Sequence, residues 1–215
     1  MIICNQELKI ILASNSPRRK ELLAGLGIPY DVFVLQGIDE SYPDSLSANE
    51  VAEYIARKKA AAYKGLRVQE KKNSSLFTPD SSLFTLHSSL ILTADTIVVC
   101  DGEILGKPRD AEDACSMLRK LSGKTHQVYT GYCLQKGEKI ISGTVCSDVT
   151  FKELSDEEIT HYVNEYKPFD KAGAYGIQEW IGYIGITGIR GSYYNVMGLP
   201  VQRIYEELKK IGFFQ

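Results

Sequence analysis

Residues 90–110 read LILTADTIVVCDGEILGKPRD, and two features of that run decide the architecture. Its first half is an apolar stretch of strand length, interrupted only by Asp95 and Thr96, as expected for a strand buried on both faces. Asp101-Gly102 is then the two-residue signal of a tight hairpin, so the chain turns back antiparallel. Working outward, strand and helix signals alternate along most of the sequence, while hairpin signals occupy its middle. The pattern predicts an α/β fold with a mixed sheet and flanking helices.

Upstream, residues 8–13 (LKIILA) read as a short buried strand. After a polar turn, Ser16 and Pro17 fit an N-cap and a first helical residue, and the helix is expected to end near Gly25 or Gly27. A second strand is expected over 30–35, followed by the carboxylate-rich loop GIDESYPDSL. Ser47 and Glu50 form a capping box, opening a helix to about Gly65. Val51, Ile55 and Ala62 share one stripe of that helix, and Lys59 falls on the same stripe. A snorkelling lysine at the edge of the core and a lysine aimed at an anion in a cleft both fit that position.

Downstream, Asp110 and Asp113 open a helix reaching Leu121, with Gly123 past its end. Strands are expected over 127–135 and 140–151 around the turn at Lys136-Gly137. Ser155 and Glu158 box a further helix, whose apolar face carries Ile159, Tyr162, Val163 and Tyr166. The Gly-rich stretch KPFDKAGAYGIQEW follows. A last helix opens near Pro200 and carries Val201, Ile204, Tyr205, Leu208 and Ile211 on one stripe. Residues 66–89 stand apart, being polar and Ser-rich with a near-repeat (SSLFTPD, SSLFTLH, SSLILTA) starting at Ser74. Pro79 and the serines rule out heptad packing, so this segment is expected to be a surface hairpin or loop inserted in a single unit spanning 1–215.

Composition narrows the function classes. The 215 residues carry a formal net charge of -2 and 24% charged residues, which gives no global pull towards nucleic acid or a membrane surface. No basic leader with an apolar core opens the chain, and no apolar run approaches the length of a membrane span. A cytoplasmic protein is expected. The five cysteines form no C-x-x-C pair and the three histidines no i, i+4 pair, so any metal is expected on carboxylate oxygens rather than at a zinc site.

Two places can carry chemistry. Asp95, set in an apolar strand, is suited to act as a general base or metal ligand, or it is a strand-end carboxylate facing solvent or bonded to Thr96. The second place is ASNSPRRKELL (13–23), where Arg18 and Arg19 fall in the first turn of a helix, the wrong end of the dipole for cations. Free backbone N–H groups, the Ser14 and Ser16 hydroxyls and both guanidiniums can converge there on phosphate oxygens. On this reading the empty site is short of negative charge. No G-x-x-x-x-G-K-[ST] P-loop is present. Lys59, Lys107 and Lys171 are further cations near loops or on odd faces, and together they suit a polyphosphate.

The segments ASNSPRRKELL, ADTIVVCDGEILGKPRDAEDACSMLRKLSGKTHQVYTG, DKAGAYGIQ and GSYYNVMGLP, in this order, closely resemble the Maf family of nucleoside triphosphate pyrophosphatases. The resemblance covers nearly the whole chain apart from 66–89. It implies a central mixed, twisted sheet with helices around a cleft, similar to the inosine triphosphate pyrophosphatases. The implied reaction is hydrolysis between the α- and β-phosphates with Mg²⁺ or Mn²⁺, giving a nucleoside monophosphate and pyrophosphate. By the same resemblance Asp95 is the base that activates water, and Arg18, Thr96 and Gln178 match positions linked to substrate choice. Ser14, Arg19, Glu40, Lys59 and Lys107 match other cleft positions, with Glu40 and Asp95 as candidate metal ligands. DKAGAYGIQ followed by GSYYNVMGLP resembles the dTTP- and UTP-cleaving branch, which implies housecleaning of nucleotide pools, modified pyrimidine nucleotides included, by a homodimer. Trp180 suits packing or stacking on a base. Two alternatives stay open: a nucleotide-binding regulator of septum formation without turnover, and a pyrophosphatase for another base such as 7-methyl-GTP or ITP.

Overall fold

The computed structural model describes residues 8–64 and 89–214, so the expected repeat insert at about 66–89 lies, but for Ser89, outside the described residues. In chain order these residues form β1 (Ile10–Leu12), α1 (Pro17–Ala24), β2 (Tyr30–Val32), α2 (Ala48–Ala61), β3 (Leu90–Cys100), β4 (Glu103–Leu105), α3 (Ala111–Leu121), β5 (Thr125–Lys136), β6 (Lys139–Phe151), α4 (Asp156–Tyr166), a 3₁₀ turn (Ala172–Ala174), α5 (Trp180–Gly185), β7 (Ile186–Arg190), α6 (Tyr193–Met197) and α7 (Val201–Lys210). No described helix is long and apolar enough to cross a membrane.

Seven strands form one mixed sheet in the order β2-β1-β3-β5-β6-β7, with β4 on β3. The apolar run of residues 90–100 is its central strand. One edge of β3 pairs antiparallel with β5 along most of its length. The other edge is divided between two short partners. β1 runs parallel to residues 90–92, and β4 returns antiparallel beside residues 98–100. Among the described residues no strand flanks 93–97 on that side. This notch lies where β1 and β4 both leave the sheet at their C-terminal ends, a place where α/β sheets leave a crevice for ligands.

Strand alternation sends the side chains of β3 to two different layers. Leu90, Leu92, Ala94, Val98 and Cys100 join the main core with residues of α1, α3, α4 and α7. Ile97 and Val99 face α2, against Val51, Ala52 and Ile55, and Thr93 donates its hydroxyl to the Ala56 carbonyl at 2.7 Å. The approach of α2 to the sheet is close because Gly131, the register partner of Asp95, has no side chain. A Cβ there would lie 2.2 Å from the Ala52 carbonyl carbon.

Three elements are shorter than their sequence signals: β1 forms over Ile10–Leu12 of the expected 8–13, and β2 and α2 end early. β2 stops at Val32 because the Tyr63 hydroxyl replaces the ladder, donating to Phe33 O at 3.1 Å and accepting from Leu35 N at 2.9 Å. α2 stops at Ala61, not near Gly65. Its last turn tightens through bonds from Ala62, Tyr63 and Lys64 to carbonyls three residues back. Ala62 is therefore an exposed cap, and the buried face is Val51, Ala52, Ile55, Ala56 and Ala60. On α4, Ile159, Tyr162 and Val163 are buried as expected, whereas Tyr166 is exposed and stacks on Tyr162.

Candidate active site

The notch in the sheet opens into a cavity of about 580 Å³. Ser14, Arg18, Arg19, Glu40, Lys59, Asp95, Thr96, Lys107, Lys171 and Gln178, all singled out from the sequence, line it, joined by Asp170.

The alternation of β3 explains how the two halves of the cavity are built. Asp95 points to the α2 side, where Lys59 reaches it at 2.7 Å. Lys59 bridges at the same time to Glu40 at 2.9 Å. Its neighbour Lys58 holds Asp39 at 2.7 Å and Ser41 O at 2.9 Å, so consecutive lysines of α2 pin the carboxylate-rich loop over the notch. Burial pushes the Glu40 carboxyl up, but the bond to Lys59 and the charges of Lys59, Lys107 and Arg19 outweigh it and hold the group below the usual range. Of the two readings of Lys59, the one that aims it into a cleft is what the structure contains.

Thr96 points the other way, towards α1. Its hydroxyl accepts from Arg19 at 3.2 Å and shares a bond of 3.0 Å with Thr130. Arg19 also donates to the Gly198 carbonyl at 2.8 Å. Burial pulls the Arg19 pKa down, with Asp95 acting in the opposite sense. Ser16 caps α1 by accepting from Arg19 N, and Ser14 accepts from Ser16 N. Arg18 turns to Asp170 at 3.1 Å. The expected shortage of negative charge at this helix end is thus corrected: Asp170 and the Gly198 carbonyl already face the two guanidiniums.

The Gly-rich stretch closes the far side. Lys171 is buried between Asp170 at 2.8 Å and Glu179 at 3.1 Å. Burial raises the Asp170 carboxyl, while Lys171 and Arg18 more than reverse that. Gln178 enters the cavity wall with its Oε1 buried and unpartnered among the described residues. Trp180 packs edge-on against His161, with ring centres 4.8 Å apart, outside the cavity lining.

Sequence reasoning missed Asp170 and Glu179, and read Tyr162 only as core. Asp170 was visible beside Lys171, but its partner Arg18 lies 152 positions away, a pairing that only the folded sheet creates. Among the described residues no group of three or more His, Cys, Asp or Glu side chains is placed to hold a metal. Glu40 and Asp95 are the two carboxylates of the cavity that could hold a magnesium-like ion together with a ligand's phosphate oxygens, and here the Lys59 ammonium bridges them.

Among protein families, that of Maf-like proteins matches residues 9–211. The chain is 58% identical over 206 residues to the dTTP/UTP pyrophosphatase of Phocaeicola vulgatus, covering 96% of this chain and 97% of that one. It is 55% identical to the dTTP/UTP pyrophosphatase of Bacteroides thetaiotaomicron over 94% and 96% of the two chains, and 45% identical to that of Flavobacterium psychrophilum over 92% and 91%. A solved nucleoside-triphosphatase / dITP/XTP pyrophosphatase from Mycobacterium abscessus aligns over 95% of both chains at 13% identity, with a TM-score of 0.39.

Proposed function

The chain belongs to the Maf-like protein family, and from that premise we propose that it hydrolyses dTTP and UTP to the nucleoside monophosphate and pyrophosphate. The observation that carries this reading is the convergence of Arg18, Arg19, Lys59, Lys107 and Lys171 on one cavity around Asp95. A triphosphate brings roughly four negative charges, and its cleavage is catalysed mainly by positioning and by neutralising that charge.

Asp95 accepts a proton from the attacking water. The water oxygen bonds to the α-phosphorus, the bond from that phosphorus to the bridging oxygen breaks, and the bridging oxygen leaves with pyrophosphate. Lys59, already against Asp95 and Glu40, fixes the orientation of the base. Arg18 and Lys107 meet the phosphate chain. Glu40 and Asp95 are the residues that would hold Mg²⁺ or Mn²⁺, which when bound supplies further positive charge to the phosphate oxygens. Gln178 offers a donor and an acceptor to the O2, N3–H, O4 edge of uracil or thymine. We extend the reading to a cytoplasmic homodimer that also takes modified pyrimidine nucleotides.

The test is pyrophosphate release from dTTP, UTP, CTP, 7-methyl-GTP, ITP and 5-methylated pyrimidine triphosphates with each metal. Release from dTTP and UTP well above the rest is expected. Preference for ITP or 7-methyl-GTP would move the substrate, and binding without release from any nucleotide would leave only a regulator.

A further inference from the structure

We propose that Tyr162 is a positioning residue for base selection, holding the turn that carries Gln178 and tying it to the phosphate half of the cavity. The inference rests on the reaction proposed above. Tyr162 does not line the cavity. Its side chain is fully buried on α4, where a hydroxyl is retained at a cost unless it is bonded.

That hydroxyl is used twice. It accepts from Gly176 N at 3.0 Å and donates to Glu179 Oε2. Glu179 Oε1 faces Lys171 at 3.1 Å, Lys171 faces Asp170 Oδ1 at 2.8 Å, and Asp170 Oδ2 faces Arg18 at 3.1 Å. Donors and acceptors alternate without a break from the turn at 176–179 to the arginine of α1. Burial and the neighbouring Glu179 raise the Tyr162 pKa, which keeps its proton available to that carboxylate.

The turn is closely packed. A Cβ on Gly176 would lie 2.9 Å from Glu179 Cδ and 3.1 Å from Gln178 Nε2, and one on Gly182 would lie 1.8 Å from Ile177 O. α5 therefore packs directly on the Ile177 carbonyl of the turn, and Tyr162 bonds the turn at Gly176 N and the Glu179 carboxylate. The Gln178 carbonyl oxygen, in contrast, has no partner of its own among the described residues. Its aim is set by the backbone that Tyr162 and Glu179 hold.

Tyr162→Phe keeps the ring and removes both bonds. The expected result is a fall of about tenfold in the ratio of kcat/KM between the preferred and the poorest nucleotide, because a site built to bond a polar edge discriminates only while its groups are aimed. A merely structural role would lower kcat/KM for every nucleotide by the same factor and leave the ratio unchanged. Glu179→Ala is expected to reproduce the loss, and the double variant to be no worse than either single one, as for two members of one network. If the wild type releases pyrophosphate with a base preference and Tyr162→Phe keeps it, the positioning role is overturned while the reaction stands. A wild type without base preference overturns the positioning role as well. If the wild type releases pyrophosphate from no nucleotide, the proposed reaction falls and this inference with it.

Discussion

Asp95 presents one oxygen to Lys59, and no described residue bonds the other, which suits a base that must receive a proton. Asp95→Asn removes the base but does not strand the ammonium, since Glu40 still faces Lys59. Pyrophosphate release is expected to fall by about 10²- to 10⁴-fold, with nucleotide affinity measured by calorimetry kept within about threefold; a variant with wild-type turnover would end the role of Asp95 as base. The two arginines of α1 separate on the same kind of reasoning. Arg18 reaches into the cavity against an exposed carboxylate, so Arg18→Ala should weaken nucleotide binding with little change in Tm. Arg19 is tied to the Gly198 carbonyl and Thr96 inside the protein. Arg19→Ala should therefore also cost about 1–3 kcal/mol of stability by leaving the buried Gly198 carbonyl unpaired, whereas Thr96 keeps its bond to Thr130. Equal Tm values for the two variants would contradict this division.

At the scale of elements, the site exists because α2 lies close enough to β3 and β5 for Lys59 to reach Asp95. Gly131→Ala forces a methyl group into the Ala52 backbone, where no flexible side chain can give way. A loss of at least about 1–3 kcal/mol and weaker catalysis are expected together, read by urea unfolding and pyrophosphate release; a variant as stable as the wild type would mean that α2 can lift without cost. Much of this arrangement was legible in the sequence. The capping boxes at Ser47/Glu50 and Ser155/Glu158 form, with Ser47 N and Ser155 N each bonding the glutamate at 3.0 Å. The Asp101-Gly102 hairpin delivers β4 to β3, and the off-pattern Lys59 marked the cavity. Those signals are local. The notch at 93–97 is not, because it depends on where β1 and β4 stop along β3, and the Asp170–Arg18 and Tyr162–Glu179 contacts depend on how distant segments cross. The end of α2 was misplaced for a related reason: Tyr63 is drawn inward to hold the chain after β2, a tertiary demand that helix propensity does not register.

At the scale of the molecule, acid stability should divide into two ranges with separate causes. Among the described carboxylates, Asp101, Asp113, Asp148 and Glu158 are held below their ordinary values, chiefly by bonds to Lys124, Arg109, Arg190 and Lys152. Their contribution is present above the unfolded carboxylate range near pH 4 and is lost as pH falls through their folded values. His126 acts earlier. It is fully buried between Phe151 and Tyr175, shares a bond of 2.8 Å with the Tyr175 hydroxyl, and burial pushes its pKa down to about 4. Between an unfolded value of about 6.5 and that folded value the unfolded chain binds the extra proton, so stability rises with pH across this window and is lost on acidification through it. The full loss amounts to about 3 kcal/mol. In urea unfolding at a series of pH values, the wild type should therefore weaken steadily from pH 6.5 to 4. His126→Gln, whatever its absolute stability, should be nearly flat over that range and then fall with the carboxylates. An unchanged slope in the variant would place the proton uptake elsewhere in the molecule.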